Sequence, residues 1–375
     1  MPLPKTLSTL LRLPTAAFTE TAVLAFIKDT CRRLSGVTCR PDRHGNLLAC
    51  YRHRPGTATP LVFAAHTDHP AFVAREMADR RTLRADFRGG VLSKYFTGGR
   101  VRFWSGGHWI KARVQEVIKT LPVPTQGPGV TRPTEALLRV SGPVERDAPG
   151  IWDLPDPVLK GDVLHAGPCD DLAGVAALLE LLTRLSRKRA RAEVHCLFTR
   201  AEEVGFIGAI AAAKSRSVPR KRPIVAIEMS KALPNARIGD GPVLRVGDRL
   251  STFSPELTAF CRTVADKLTK RRKKFAYQRK LMDGGACEST AYAAFGYQTT
   301  CICLPLGNYH NMDAERGCIA PEYISVTDWR NMTDWFEALV LAEPGFGPSN
   351  QVREDLERSF SKSAALLGAR RGRNR

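Results

Sequence analysis

Four short apolar runs in this sequence each end on side chains that can bind a cation or move a proton. LVFAA leads into His66-Thr67-Asp68, and VHCLFT into Arg200-Ala201-Glu202-Glu203. PIVAI leads into Glu228, and TTCICLP into Gly307-Asn308-Tyr309-His310. A fifth element, Cys169-Asp170-Asp171-Leu172-Ala173-Gly174, stands just before an apolar helix. Each element also has a plain reading. Asp170 and Asp171 could cap the helix that follows. Glu202 and Glu203 could be ordinary first-turn glutamates, and His66 and His310 satisfied core histidines. Glu228 is harder to dismiss, because a carboxylate closing the run IVAI is buried and needs a partner. Taken together, the plain readings require five coincidences at one edge of one sheet. Imidazoles with carboxylates suit zinc, and also cobalt or manganese. No set of four thiolates is present to close a structural site, so the mixture points to a catalytic centre.

The elements that must bring these residues together follow from the apolar spacing. Residues 16–35 have helical spacing, and Asn46–Tyr51 and Pro60–Ala65 read as strands. From Val73 to Leu164 short β-type stretches (TLRADF, GRVRFW, HWIKARVQEVI, ALLRV) alternate with Gly and Pro. After Gly167 strands and helices alternate. Helices are predicted over Leu172–Ser186, from Glu203 to Ala213, over Ser254–Leu268 and over Asp328–Ala342. Strands are predicted over Ala192–Thr199, Pro223–Glu228 and Thr299–Leu304. The fold class expected is α/β: a mostly parallel twisted sheet with helices on both faces, plus an inserted small β-rich domain. The predicted division is a discontinuous α/β domain over 1–73 and 165–345, the insertion over 74–164, and a flexible basic tail over 346–375. Ligands in open α/β sheets collect beyond the carboxyl ends of the strands, where all four runs end.

Composition narrows the functional classes. With 375 residues, 43% hydrophobic and 25% charged, the chain is ordinary globular protein. No run reaches the roughly 18 apolar residues that span a bilayer. Pro4, Arg12 and Pro14 break up the N-terminus, so it reads as mature chain rather than a targeting peptide. Ten cysteines without a C-x-x-C pair or a framework read as buried, reduced thiols and predict a cytoplasmic protein. The net charge of +20 is concentrated at Arg184–Arg191, Arg216–Arg222, Lys267–Lys280 and Arg370–Arg375. No zinc knuckle, KH loop or aromatic RNP motif accompanies it, so the charge reads as solvated helix faces rather than a nucleic-acid surface.

The ordered blocks AAHTDHPAFV, CDDLAGVAALLELL, TRAEEVGFIGA, VAIE, DGGACESTAY and LPLGNYHNM span positions 64 to 312. In that order they resemble the co-catalytic zinc exopeptidases, nearest to the glutamyl and tetrahedral (oligomeric) aminopeptidases. The β-rich insertion falls where that family carries its second domain, through which it often assembles into homo-oligomers. The resemblance implies two divalent ions. His66 and Glu228 would hold one, Glu203 and His310 the other, and Asp170 would bridge them. Asp68 would orient the His66 ring, Glu202 would act as general base, and the Asp170–Asp171 peptide would be cis. The expected substrate is a short peptide or amide, hydrolysed as an aminopeptidase does.

The sequence also departs from the family. Leu172 stands where the family usually has arginine, and Gly284-Gly285-Ala286-Cys287-Glu288 where it has Gly-Gly-Thr-Asp. Glu228 stands where the aminopeptidases generally have aspartate, whereas related deacylases and carboxypeptidases often use glutamate. The alternatives in view are therefore an N-acyl amino acid deacylase or carboxypeptidase-type amidohydrolase, a catalytically inactive binding protein, and a basic nucleic-acid-binding protein.

Overall fold

The computed structural model describes residues 3–347 and 351–368. The basic stretch Arg370–Arg375 lies outside the described residues. The chain begins with α1 (Lys5–Leu10) and α2 (Thr21–Arg32), then β1 (Val37–Pro41), β2 (Leu47–His53) and β3 (Val62–His66). Six strands follow: β4 (Ala71–Met77), β5 (Thr82–Arg88), β6 (Arg100–Ser105), β7 (His108–Pro122), β8 (Thr131–Val140) and β9 (Pro149–Trp152). Short strands β10 (Val158–Lys160) and β11 (Val163–Ala166) lead into α3 (Cys169–Lys188). Then come β12 (Ala192–Thr199), α4 (Ile207–Ser215), β13 (Ile224–Lys231), β14 (Val243–Asp248), α5 (Pro255–Arg271), β15 (Gln278–Met282), α6 (Glu288–Ala294) and β16 (Thr299–Leu306). A hairpin of β17 (Met312–Asp313) and β18 (Cys318–Ile319) precedes β19 (Glu322–Ser325), α7 (Val326–Val340) and α8 (Gln351–Gly368).

The fold is mixed α/β. Its main sheet has eight strands in the order β1-β2-β12-β3-β13-β16-β14-β15. The centre, β12-β3-β13-β16, is parallel, while β2 and β14 join it antiparallel on either side. Side chains alternate along the central strands. Phe63 and Ala65 of β3 pack with α3 and α7, whereas Val62 and Ala64 face α4 and α6. Both faces of the sheet are thus covered, which is why these strands read as continuous apolar runs. Helix α3 is apolar nearly all round, from Leu172 to Leu185, and is buried accordingly. Strands β4-β5-β8-β7-β6-β9 close into a barrel, filled by an aromatic cluster of Phe72, Phe87, Phe96, Phe103 and Trp152. Closure removes the exposed edges that such short strands would otherwise present.

Three local readings are corrected. The helix expected from Glu203 begins only at Ile207, because Ala201 and Phe206 adopt left-handed backbone (φ 53° and 59°), leaving Glu202 and Glu203 in the turn after β12. Strand β13 does not stop at Glu228 but runs on to Lys231, paired with β16. Within the stretch expected to be a flexible tail, residues 351–368 are helical, with Leu356, Phe360, Ala364 and Leu367 at helical spacing. All ten cysteines are free and most are buried, and no described helix is long and apolar enough to cross a membrane.

Candidate metal centre

The side chains singled out at the strand ends converge. The His66 imidazole closes β3, with Nε2 3.3 Å from Asp170 Oδ1 and 4.0 Å from both Glu202 Oε2 and Glu228 Oε1. His310 Nε2 lies 3.3 Å from Glu203 Oε2 and 3.7 Å from the other Asp170 oxygen. Asp170 therefore stands between two imidazoles, one carboxylate oxygen toward each. Two overlapping sets, His66/Glu202/Glu228 and His66/Asp170/Glu203, have donor atoms all within 4.8 Å of one another.

Sheet register explains part of this. Pairing between β3 and β13 ends at Ala64 with Ala226. Two residues further on, His66 and Glu228 stand level on neighbouring strands that no longer pair, so a gap opens between them. Thr199 pairs with His66, and the turn that follows carries Glu202 and Glu203 into the same gap. Asp68 holds that turn in place: Glu202 N–H donates to its Oδ1 (2.9 Å) and Glu203 N–H to its Oδ2 (3.0 Å). Its Oδ1 also lies 3.5 Å from His66 Nδ1, which faces the Asp68 carbonyl at 3.2 Å.

Neither Asp170 nor Asp171 caps α3. Their backbone is non-helical, the N-cap position falls on Pro168, and no side chain caps the helix. The peptide between the two aspartates is cis, as the resemblance implies. Leu172, where the family usually has arginine, is fully buried in the core.

Three supporting residues escape sequence reasoning. Glu322, fully buried at the start of β19, accepts from Asp170 N–H (3.0 Å) and His310 N–H (2.8 Å), tying together the backbones of two cluster residues. His69 faces the Asp170 carbonyl at 2.6 Å, and its other nitrogen meets Asn311 Oδ1 at 3.0 Å. The Gly90 carbonyl, on the loop after β5, lies 3.0 Å from His310 Nδ1. Glu322 and Gly90 act through contacts made across the chain, and nothing in their local sequence marks them. His69 lies within the block AAHTDHPAFV, which gave the only available signal.

The electrostatics show what the cluster lacks. Burial pushes the Asp170 carboxyl up to about 8, with Glu228 adding to the rise, and lifts Glu202, Glu203 and Asp171 well above the carboxylate range. Burial works against a charged His66, but Glu202, Asp170, Asp68 and Glu228 outweigh it and hold that imidazole well above its ordinary value. Burial lowers His310 to about 3, so its Nε2 is a bare lone pair facing the oxygens of Glu203 and Asp170. At His310, then, a nitrogen lone pair faces oxygen atoms at 3.3 and 3.7 Å. His66 Nε2, Asp170 Oδ1 and Glu203 Oε1 are all buried without a hydrogen-bond partner. Buried polar atoms without a partner are costly, and a cation displacing the His66 proton would satisfy them together. The donor set fits divalent metal ions, with both imidazole Nδ1 atoms engaged behind the ring as metal-binding histidines commonly are.

Substituting Asp68 tests this scaffold. In Asp68→Asn the amide nitrogen meets one of the two backbone N–H groups, donor against donor. Chelator competition should show metal affinity lower by about 10- to 100-fold. Wild-type affinity in the variant would contradict the role given to Asp68.

Residues 152–316 match the M42 glutamyl aminopeptidase family. A protein from Acetivibrio thermocellus named "Putative aminopeptidase" is 27% identical over 285 residues, covering 72% of this chain and 80% of its own length. An aminopeptidase from the archaeon Desulfurococcus kamchatkensis has a similar structure, with TM-score 0.73 at 20% identity over 90% of this chain and 93% of that one. The TET1 peptidase of Pyrococcus horikoshii, described as assembling into a tetrahedron or a large octahedral shell, gives 0.72 at 19% identity over 90% and 98%. These likenesses agree with the resemblance drawn from the sequence blocks, and the chain fits the co-catalytic zinc exopeptidase superfamily.

Proposed function

We propose that this chain, a metal-dependent peptidase of the M42 aminopeptidase kind, removes the N-terminal residue of short peptides. The observation that carries the reading is the placement of Asp170 between His66 and His310, one oxygen toward each. His66 and Glu228 would hold one divalent ion, Glu203 and His310 a second, and Asp170 both. Zinc is the first choice, with cobalt or manganese also suited to these donors. When bound, such a pair acidifies a water molecule and polarises the carbonyl of the bond to be cut.

The remaining work falls to the chain itself. Glu202, buried and 4.0 Å from His66 Nε2, takes the proton of the attacking water and passes it to the departing amine. Asp68 fixes the backbone of Glu202 and Glu203, and Glu322 fixes that of Asp170 and His310. The site lies between the sheet and the loop bearing Gly90, so the barrel segment shapes its rim. The division at 1–73 and 165–345 against an inserted 74–164 is part of this proposal. So are a homo-oligomeric assembly, for which the similar TET structures give support, and a cytoplasmic setting for the free thiols.

Glu228 keeps a second reading open, hydrolysis of an N-acyl or C-terminal amide. The two separate in one assay of the metal-loaded protein on aminoacyl anilides, N-acetyl amino acids and C-terminally free peptides. Turnover of the anilides, abolished by chelation and restored by zinc or cobalt, is the expected result. Hydrolysis of the N-acetyl amino acids alone would reverse the direction of cleavage.

A further inference from the structure

Toward the other end of the main sheet, three side chains of metal-binding type stand together: Cys50 on β2, and Glu193 and His195 on β12. Cys50 and His195 are partners across the two antiparallel strands, and Glu193, two residues before His195, shares their face. One donor atom from each lies within 4.8 Å of the other two. Cys50 Sγ is 3.8 Å from His195 Nε2, and Glu193 Oε1 is 2.9 Å from the same nitrogen. The set is separate from the hydrolytic centre. His195 stands level with Val62 at the start of β3, whereas the centre begins at His66, four residues and about 13 Å along the strand.

A nucleophilic relay needs thiol and acid on opposite nitrogens of the ring, whereas here both meet Nε2. Convergence on one nitrogen is the arrangement of a chelate. On a tetrahedral zinc ion, with bonds of about 2.3 Å to sulfur and about 2.0 Å to nitrogen, those two atoms stand about 3.5 Å apart. The 3.8 Å observed is close to that separation. Burial holds the His195 imidazole below its ordinary value, so the ring is neutral at pH 7, as a ligand must be. Burial raises the Cys50 thiol, but a coordinated divalent ion takes the proton off a thiol outright. Two arginines compete for Glu193, Arg222 at 3.0 Å and Arg52 at 3.3 Å. Arg52 is 69% exposed, so its bond is weak, and each carboxylate oxygen has a second lone pair for an ion. Thiolate and carboxylate together cancel the charge of a divalent ion, so the arginines would flank a neutral site. We propose that Cys50, Glu193 and His195 form a further metal site, thiolate-containing, for zinc or a softer divalent cation. All three residues are partly exposed, which leaves the fourth position to solvent, and the ion would tie β2 to β12.

Cobalt separates this site from the hydrolytic centre, whose assigned ligands are all imidazoles and carboxylates. The full chain loaded with cobalt should show a sulfur-to-cobalt charge-transfer band in the near ultraviolet, and added zinc should displace it. Cys50→Ser, an exchange of nearly equal size at a partly exposed position, should abolish the band and bind one ion fewer, with turnover of aminoacyl anilides unchanged. His195→Ala should do the same. The band is read independently of turnover, so failure of the hydrolytic reading would leave this test intact. Three results would overturn the proposal: no band in the wild type; a band that survives Cys50→Ser, which would assign it to another thiol; or a band lost together with turnover, which would move the thiolate to the hydrolytic centre.

Discussion

Glu202→Gln is expected to lower kcat by about 10²–10⁴-fold while leaving the metal content unchanged. The substitution keeps the shape of the side chain and removes only its capacity to take a proton. Glu202 sits 4.0 Å from His66 Nε2, and burial lifts its carboxyl well above the usual range, as suits a group that both accepts and returns a proton. The same side chain also falls within donor range of His66 and Glu228. Metal analysis of the variant therefore distinguishes a base from a ligand. Activity lost together with an ion would assign Glu202 to the metal set and leave the base unidentified.

Asp170→Asn should be more severe, with turnover down by about 10³-fold or more and fewer than two ions retained, because the shared carboxylate is removed from both sites. The fold should survive. Glu322 holds Asp170 through its backbone N–H, which the substitution leaves in place. A pH signature accompanies this variant. In the metal-free wild type the Asp170 carboxyl is pushed up to about 8, from an ordinary 3.8. The folded state therefore binds a proton that the unfolded state releases across that interval, and stability falls as pH rises from about 4 to about 8. The asparagine variant has no such proton, so its melting temperature should vary less over the same interval. Equal slopes for the two proteins would contradict the coupling assigned to Asp170.

Much of this centre was legible because each cluster residue follows an apolar strand, and strand ends in an α/β sheet share one rim. VHCLFT forms β12, paired with β3 so that Thr199 and His66 stand side by side. The chemistry of Glu228 was legible for another reason: a carboxylate inside an apolar strand demands a partner. What stayed hidden depends on contacts distant in sequence. Glu322 serves the site by accepting two backbone N–H groups from residues 152 and 12 positions away. The Gly90 carbonyl serves it from the loop after β5, 220 positions from His310 in the sequence. The delayed start of α4 was also invisible, since phenylalanine rarely takes the left-handed conformation that Phe206 adopts (φ 59°). The helical form of residues 351–368 was not read, because closely spaced charges masked the helical spacing of the apolar residues.

The most direct test of the central claim is anomalous diffraction from crystals of the zinc-loaded protein, measured on either side of the zinc absorption edge. Two peaks are predicted, one against His66 and Glu228 and the other against His310 and Glu203, with the Asp170 carboxylate touching both. A single peak, or zinc bound away from Asp170, would contradict it.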